Sequence, residues 1–141
     1  MIRAVIFDMF ETLVTLFEGR TYFSEDIAAD MNIPYMDFRR EWHATEHDRS
    51  IGKYSIKDGL EIAFKKIGVY TEEDVNRIAQ KRIDALGDTF SNIPDDSILL
   101  LKKLRERNIL TGLITNTFSD ERDYIVKSEL YPLFDVSLIS I

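Results

Sequence analysis

The chain has 141 residues, 45% hydrophobic and 11% aromatic, enough apolar material for a packed core, which excludes a disordered polymer. A net charge of −7 and a pI near 4.8 exclude the electrostatics expected of a nucleic-acid or anionic-membrane binder. There is no cysteine, so disulfide and thiol chemistry are excluded and a reducing, cytoplasmic location fits. No run approaches the ~18 apolar residues that span a bilayer, and the first residues read as a strand rather than a secretion signal.

Residues 3–8 are the first predicted element. Ala4, Val5, Ile6 and Phe7 form a short apolar run closed by one carboxylate, Asp8. That pattern predicts a central parallel strand delivering a charge to its C-terminal edge, the edge where open α/β sheets bind ligands. Asp8 is a candidate nucleophile or metal ligand; the plain structural alternative is a turn cap.

Residues 18–90 read as mostly helical. Tyr35, Phe38 and Trp42 share one face, and Leu60, Ala63, Phe64 and Ile67 recur at i, i+3, i+4, i+7. Val75, Ile78, Ala79, Ile83 and Leu86 form the cleanest stripe. Thr71 followed by Glu72, Glu73 and Asp74 predicts a helix start, with acids at the positive end of the dipole. Gly68 and Gly87 are predicted stops. Together these segments predict a small helical bundle.

A second α/β stretch follows. Pro94, Asp95 and Asp96 open a helix whose end is basic. An apolar strand over 109–115 comes next, then a helix over about 119–129 and a last strand over Val136–Ile141. Strand–helix–strand alternation implies parallel pairing and a doubly wound α/β core.

Within the helical stretch, His43-Ala44-Thr45-Glu46-His47 spells H-x-x-E-H. On one helix the two histidines would sit a turn apart and could chelate zinc, with Glu46 as base. The alternative is an exposed polar face beside Trp42.

Two segments resemble motifs of the haloacid dehalogenase (HAD) superfamily of hydrolases. Asp8-Met9-Phe10-Glu11-Thr12-Leu13-Val14 is similar to its first motif, a strand followed by D-x-(D/Y/F)-x-(T/V)-(L/V). Ile109 to Asn116 is similar to its second, an apolar strand ending in Thr or Ser and then, usually, Asn. They occur in order, with a helical insert between them, and the resemblance covers nearly the whole chain. It implies a Rossmann-like parallel core from residues 1–17 and 91–141, and a helical cap from 18–90 that closes over the site.

The resemblance also implies roles. Asp8 would be the nucleophile, forming an aspartyl ester or phosphate, and Thr115 would hydrogen-bond the substrate oxygen. Asn116 would orient substrate or backbone, and Arg49, near Gly52, would bind a substrate anion from the cap. Mg²⁺ would be held by Asp8, the Phe10 carbonyl and acids further along. The implied substrates are small phosphorylated or halogenated molecules.

Two departures modify this expectation. Most family phosphatases carry a second Asp where this chain has Phe10, and general-acid catalysis is typically worth ~10²–10⁴-fold. Phe10 cannot transfer a proton; the family's dehalogenases also have an aromatic residue there. Glu11 is the neighbouring acid, with its side chain expected to point elsewhere. The second departure is that the resemblance stops before the third and fourth motifs. Their lysine and acids have no counterpart through residue 141, and Lys127 precedes the last strand. The chain therefore reads as a truncated HAD fold with an incomplete sheet, nearly inactive in isolation. The open apolar edge at residues 3–8 predicts self-association or a complementing segment from another polypeptide. The non-enzymatic alternative is a HAD fold retained as a binding or assembly module.

Overall fold

The computed structural model describes residues 2–16 and 21–140. Three parallel strands form one sheet in the order β1-β2-β3: β1 (Ala4–Phe7), β2 (Leu110–Asn116) and β3 (Val136–Ser140). Phe7 pairs with Leu113, and Thr115 with Ile139. Between β1 and β2 run α1 (Ser24–Asp30), α2 (Tyr35–Ala44), α3 (Glu46–Ser50), α4 (Ile56–Ile67), α5 (Glu72–Ser91) and α6 (Asp95–Glu106). The link from β2 to β3 is α7 (Ser119–Lys127) and a 3₁₀ turn (Tyr131–Leu133). This is an α/β architecture with an all-parallel, three-stranded sheet among the described residues and a helical insert after the first strand, matching the parallel α/β core and inserted helices expected from the sequence. Among the described residues no strand pairs with the outer edge of β1.

Local chemistry sets the helix ends. Ser55 Oγ accepts the Asp58 amide at 3.1 Å while Asp58 accepts the Ser55 amide at 2.8 Å, a reciprocal cap on α4. Gly68 ends that helix at φ +86°, a left-handed conformation costly for residues with a Cβ. Thr71 Oγ1 accepts the Asp74 amide at 3.0 Å and starts α5 as expected. Gly87, in contrast, does not stop α5, which continues to Ser91. It faces Tyr124 on α7, where a Cβ would make an ordinary contact of 3.4 Å with Cε1, and its backbone is not left-handed as a glycine cap requires.

Apolar side chains divide into two clusters. One joins α1, α2, α4 and the first half of α5, through Ile27, Phe38, Leu60, Phe64 and Ile78, all fully buried. Phe38 stacks on Trp42 with centroids 5.8 Å apart. The other lies under the sheet and joins Met9, Leu13, Leu101, Leu113, Ile125 and Leu130. Helix α5 reaches both: its buried stripe shifts from Ile78 and Ala79 to Ala85 and Thr89, and Phe90 packs with the sheet cluster. The proposed boundary between residues 17 and 18 lies outside the described residues.

The first strand is less buried than its composition suggests. Val5 and Phe7 are half-buried, while Ala4 and Ile6 are exposed. The expected buried run is covered on one face only, because the described helices pack against only that side of the sheet.

Candidate active site

Parallel pairing brings the two motif segments to one edge. Phe7 stands opposite Leu113, so Asp8 is level with Ile114, and Thr115 is one register step further along the neighbouring strand. The Asp8 carboxylate is exposed and has no hydrogen-bond or ion-pair partner among the described residues. No backbone N–H donates to it in the described hydrogen bonds.

Thr115 is 3% exposed, and its Oγ1 is the buried side-chain oxygen without a hydrogen-bond partner among the described residues. A buried hydroxyl left unpaired costs about 1–3 kcal/mol, so an orphan beside a sheet edge that also carries a carboxylate fits an oxygen-rich ligand. Asn116 Oδ1 accepts a hydrogen bond from Ser140 Oγ at 2.6 Å, which ties the end of β2 to the end of β3. The Thr117 amide adds a bond to the Ser140 carbonyl at 3.1 Å.

The turn after Asp8 is tight. Leu13 and Val14 amides donate to the Met9 carbonyl at 2.9 and 3.1 Å, and the Glu11 amide donates to the Val14 carbonyl at 2.8 Å. Glu11 has φ +54°, and its carboxylate accepts the Leu16 amide at 2.7 Å. That side chain has a local structural task. Phe10 is half-buried and meets Phe90 edge-on, with centroids 6.1 Å apart, so its ring joins the sheet to the last turn of α5.

Magnesium requires hard oxygen ligands, close to six of them. The Asp8 carboxylate and the Phe10 carbonyl, which accepts no hydrogen bond among the described residues, are donors of the right kind. They are a partial set: no group of three His, Cys, Asp or Glu that could hold a metal occurs among the described residues.

Arg49 does not join Asp8 and Thr115 in any described contact. It is 2% exposed, with its guanidinium 3.7 Å from the Trp42 ring centre and 4.6 Å from that of Phe118. Nε donates to Thr45 Oγ1 at 3.0 Å. Burial, then the charge of Arg82, lowers its pKa to about 10. Phe118 lies two residues past Asn116, so Arg49 bridges the helical insert to the loop that leaves β2.

Two further links across this seam were not legible in the sequence. Asp120 accepts the Ile56 amide at 3.0 Å, and Arg82 lies 3.6 Å from Glu121. Burial raises the Glu121 pKa, opposed by Arg82, and burial lowers that of Arg82, opposed by Glu121. They edge a recess of about 60 Å³, walled by Ile56, Ile83 and Leu86, which neither Asp8 nor Thr115 lines. Nothing local in the sequence points Asp120 to a partner 64 positions away.

The H-x-x-E-H segment does not build a zinc site. Helix α2 ends at Ala44 and α3 begins at Glu46, so the histidines do not share one helix. Glu46 pairs with His43 on the exposed surface, and no third ligand group clusters with them among the described residues.

No family model matches this chain, and no curated protein matches it in sequence. Solved structures match it in fold. A HAD-family enzyme from Bacteroides thetaiotaomicron, also solved with magnesium and inorganic phosphate, has a TM-score of 0.68 at 15% identity and covers 99% of this chain and 68% of its own. The HAD-hydrolase YfnB of Bacillus subtilis, bound to magnesium, scores 0.55 at 18% identity, covering 98% of this chain and 65% of its own. An L-2-haloacid dehalogenase scores 0.55 at 20% identity, covering 98% and 63%. The chain has a HAD-like fold and spans roughly two thirds of the length of these neighbours.

Proposed function

We propose that this chain carries the nucleophile half of a HAD-like hydrolase acting on small phosphorylated or halogenated molecules, with residues 18–90 as its cap. The observation that carries the reading is the unpartnered, buried Thr115 hydroxyl on the strand next to Asp8. An Asp8 oxygen attacks phosphorus, or the carbon bearing the halogen, as the bond to the leaving group breaks. Water then hydrolyses the aspartyl phosphate or ester and regenerates the carboxylate. Thr115 Oγ1 donates to a substrate oxygen and holds it against Asp8.

Phe10 sets a limit on this chemistry. Its ring cannot protonate a leaving alkoxide, which favours halide or a stabilised aryloxide as leaving group. Asn116 keeps the end of β2 in place through Ser140, and Arg49, buried against Phe118, ties the cap to the loop that leaves β2. Magnesium, held in part by Asp8 and the Phe10 carbonyl, would neutralise charge between carboxylate and phosphate. Turnover by residues 1–141 alone is slow, since the described residues supply neither a proton donor at position 10 nor an acidic cluster.

The test is turnover of 4-nitrophenyl phosphate and of 2-chloropropionate by the purified chain, with Asp8→Asn as control. Slow hydrolysis of either, lost in Asp8→Asn, supports the reading. No turnover of either by the wild-type chain contradicts it and favours a binding or assembly module.

A further inference from the structure

Helix α5 carries an apolar stripe that the two packed clusters do not use up. Val75, Ile78 and Ala79 join the helical cluster, and Phe90 joins the sheet cluster. Ile83 and Leu86, which continue the stripe between them, belong to neither and stay half-buried. Together with Ile56 of α4 they wall the recess at the seam. About 60 Å³ of it is open to a water-sized sphere. One water needs roughly 10–15 Å³ on this measure, so the recess has room for about four to six non-hydrogen atoms.

One polar group on these walls is short of partners. The Arg82 side chain is 20% exposed, and its carboxylate contact, Glu121, lies at 3.6 Å, longer than a hydrogen bond. A guanidinium has five N–H donors, and no other described residue accepts from this one. The two acids on the recess are already engaged: Asp120 accepts the Ile56 amide at 3.0 Å, and Glu121 accepts the Phe118 amide at 3.1 Å. Those bonds occupy them at the N-termini of α4 and α7, both of which open on the recess. Arg49 is within electrostatic reach of both Arg82 and Glu121. Two guanidiniums and two helix N-termini exceed two carboxylates by about one positive charge.

We propose that the recess binds a short branched aliphatic monocarboxylate, with its carboxylate on the Arg82 guanidinium and its alkyl end against Ile56, Ile83 and Leu86. The planar fork of an arginine takes a carboxylate through two parallel N–H···O bonds. The charge balance selects an anion, the apolar walls select an alkyl group over a wholly polar ion, and the volume limits that group to about four carbons. Neither Asp8 nor Thr115 lines the recess, so the inference does not depend on the hydrolase chemistry. With walls from α4 and α5 on one side and α7 on the other, an occupant also adds a contact across the seam.

A ¹H–¹⁵N NMR titration of the purified chain with isobutyrate tests this. The expected result is saturable shifts of the Ile56, Asp120 and Glu121 amides with a millimolar dissociation constant, and at least tenfold weaker binding of isobutyramide and isobutylamine. Arg82→Gln should weaken isobutyrate at least tenfold. Leu86→Phe, which fills the recess and keeps the Arg82–Glu121 pair, should do the same, and it decides the matter if Arg82→Gln fails to fold. Glu121→Gln, which frees the guanidinium and can still accept the Phe118 amide, should tighten binding severalfold. Asp8→Asn should bind as the wild type does, so a failure of the hydrolase reading and a failure here are distinguishable. No saturable shift at tens of millimolar isobutyrate overturns the proposal and leaves Arg82–Glu121 a structural ion pair. An equal response to isobutyramide, or binding indifferent to Leu86→Phe, overturns it as well.

Discussion

The carboxylate of Asp120, in the first turn of α7, accepts a hydrogen bond from the amide of Ile56, in the first turn of α4, at 3.0 Å. Early amides of a helix have no partner within it, and here the missing acceptor comes from beyond β2. The negative charge also lies at the positive end of the α4 dipole. Asp120→Ala should therefore lower stability by about 1 kcal/mol, with Asp120→Asn intermediate. Urea denaturation of the three proteins measures this; equal midpoints would show that the bond contributes nothing.

Gly59 is fixed by its neighbour. A Cβ at this position would lie 2.6 Å from Arg49 Cδ and 3.2 Å from Thr45 Oγ1. Gly59→Ala should displace the Arg49 side chain and cost about 2 kcal/mol, within the range for overpacking. Adding Arg49→Ala removes the main obstacle, so the double variant should be more stable than the sum of the two single losses. Additive losses in thermal or urea denaturation would mean that Arg49 is not what excludes the methyl group.

Asp30 makes a pH-dependent contribution. Its carboxyl is held below the ordinary 3.8, first by the hydrogen bond from Lys81 and then by that from Tyr22. A carboxylate whose pKa falls on folding adds stability that is complete above its unfolded value and fades as pH drops through its folded one. Asp30→Asn should thus lower the urea midpoint at about pH 7, by a difference that shrinks as pH falls below 3.8. An undiminished difference in acid would contradict this assignment.

Thr115→Val separates stability from function. The change is near-isosteric, removes an unpaired buried hydroxyl and places a β-branched residue in a strand. Stability should rise by up to about 1 kcal/mol, whereas any turnover should fall on the order of 10²-fold, as when an oxyanion donor is lost. A loss of stability would indicate that the hydroxyl has a structural partner; unchanged turnover would remove it from the site.

The sequence made the strand edges and most helix ends legible because their causes are local. Gly68 and Thr71 act within one turn, and the strand before Asp8 needs only a short apolar run closed by an acid. Gly87 misled because glycine ends a helix only where the backbone turns left-handed, and α5 continues through it to Ser91, held by packing on α7 that no local rule includes. The exposure of Ile6 was hidden for the same cause, since a strand's composition does not say how many of its faces are covered. At the candidate site, Asp8 and Thr115 were readable as strand ends. The Arg49–Phe118 contact and the Asp120–Ile56 bond arise only where the helical insert meets the core.

Covalent labelling of Asp8 tests the central claim most directly. The chain, incubated with magnesium and 4-nitrophenyl phosphate or with 2-chloropropionate, is quenched in acid, digested with trypsin and analysed by mass spectrometry. The account predicts a phosphoryl adduct, or a 1-carboxyethyl ester, on the peptide from Ala4 to Arg20, localised to Asp8 and absent from Asp8→Asn. Hydrolysis that persists in Asp8→Asn, or an adduct on a different residue, would contradict it.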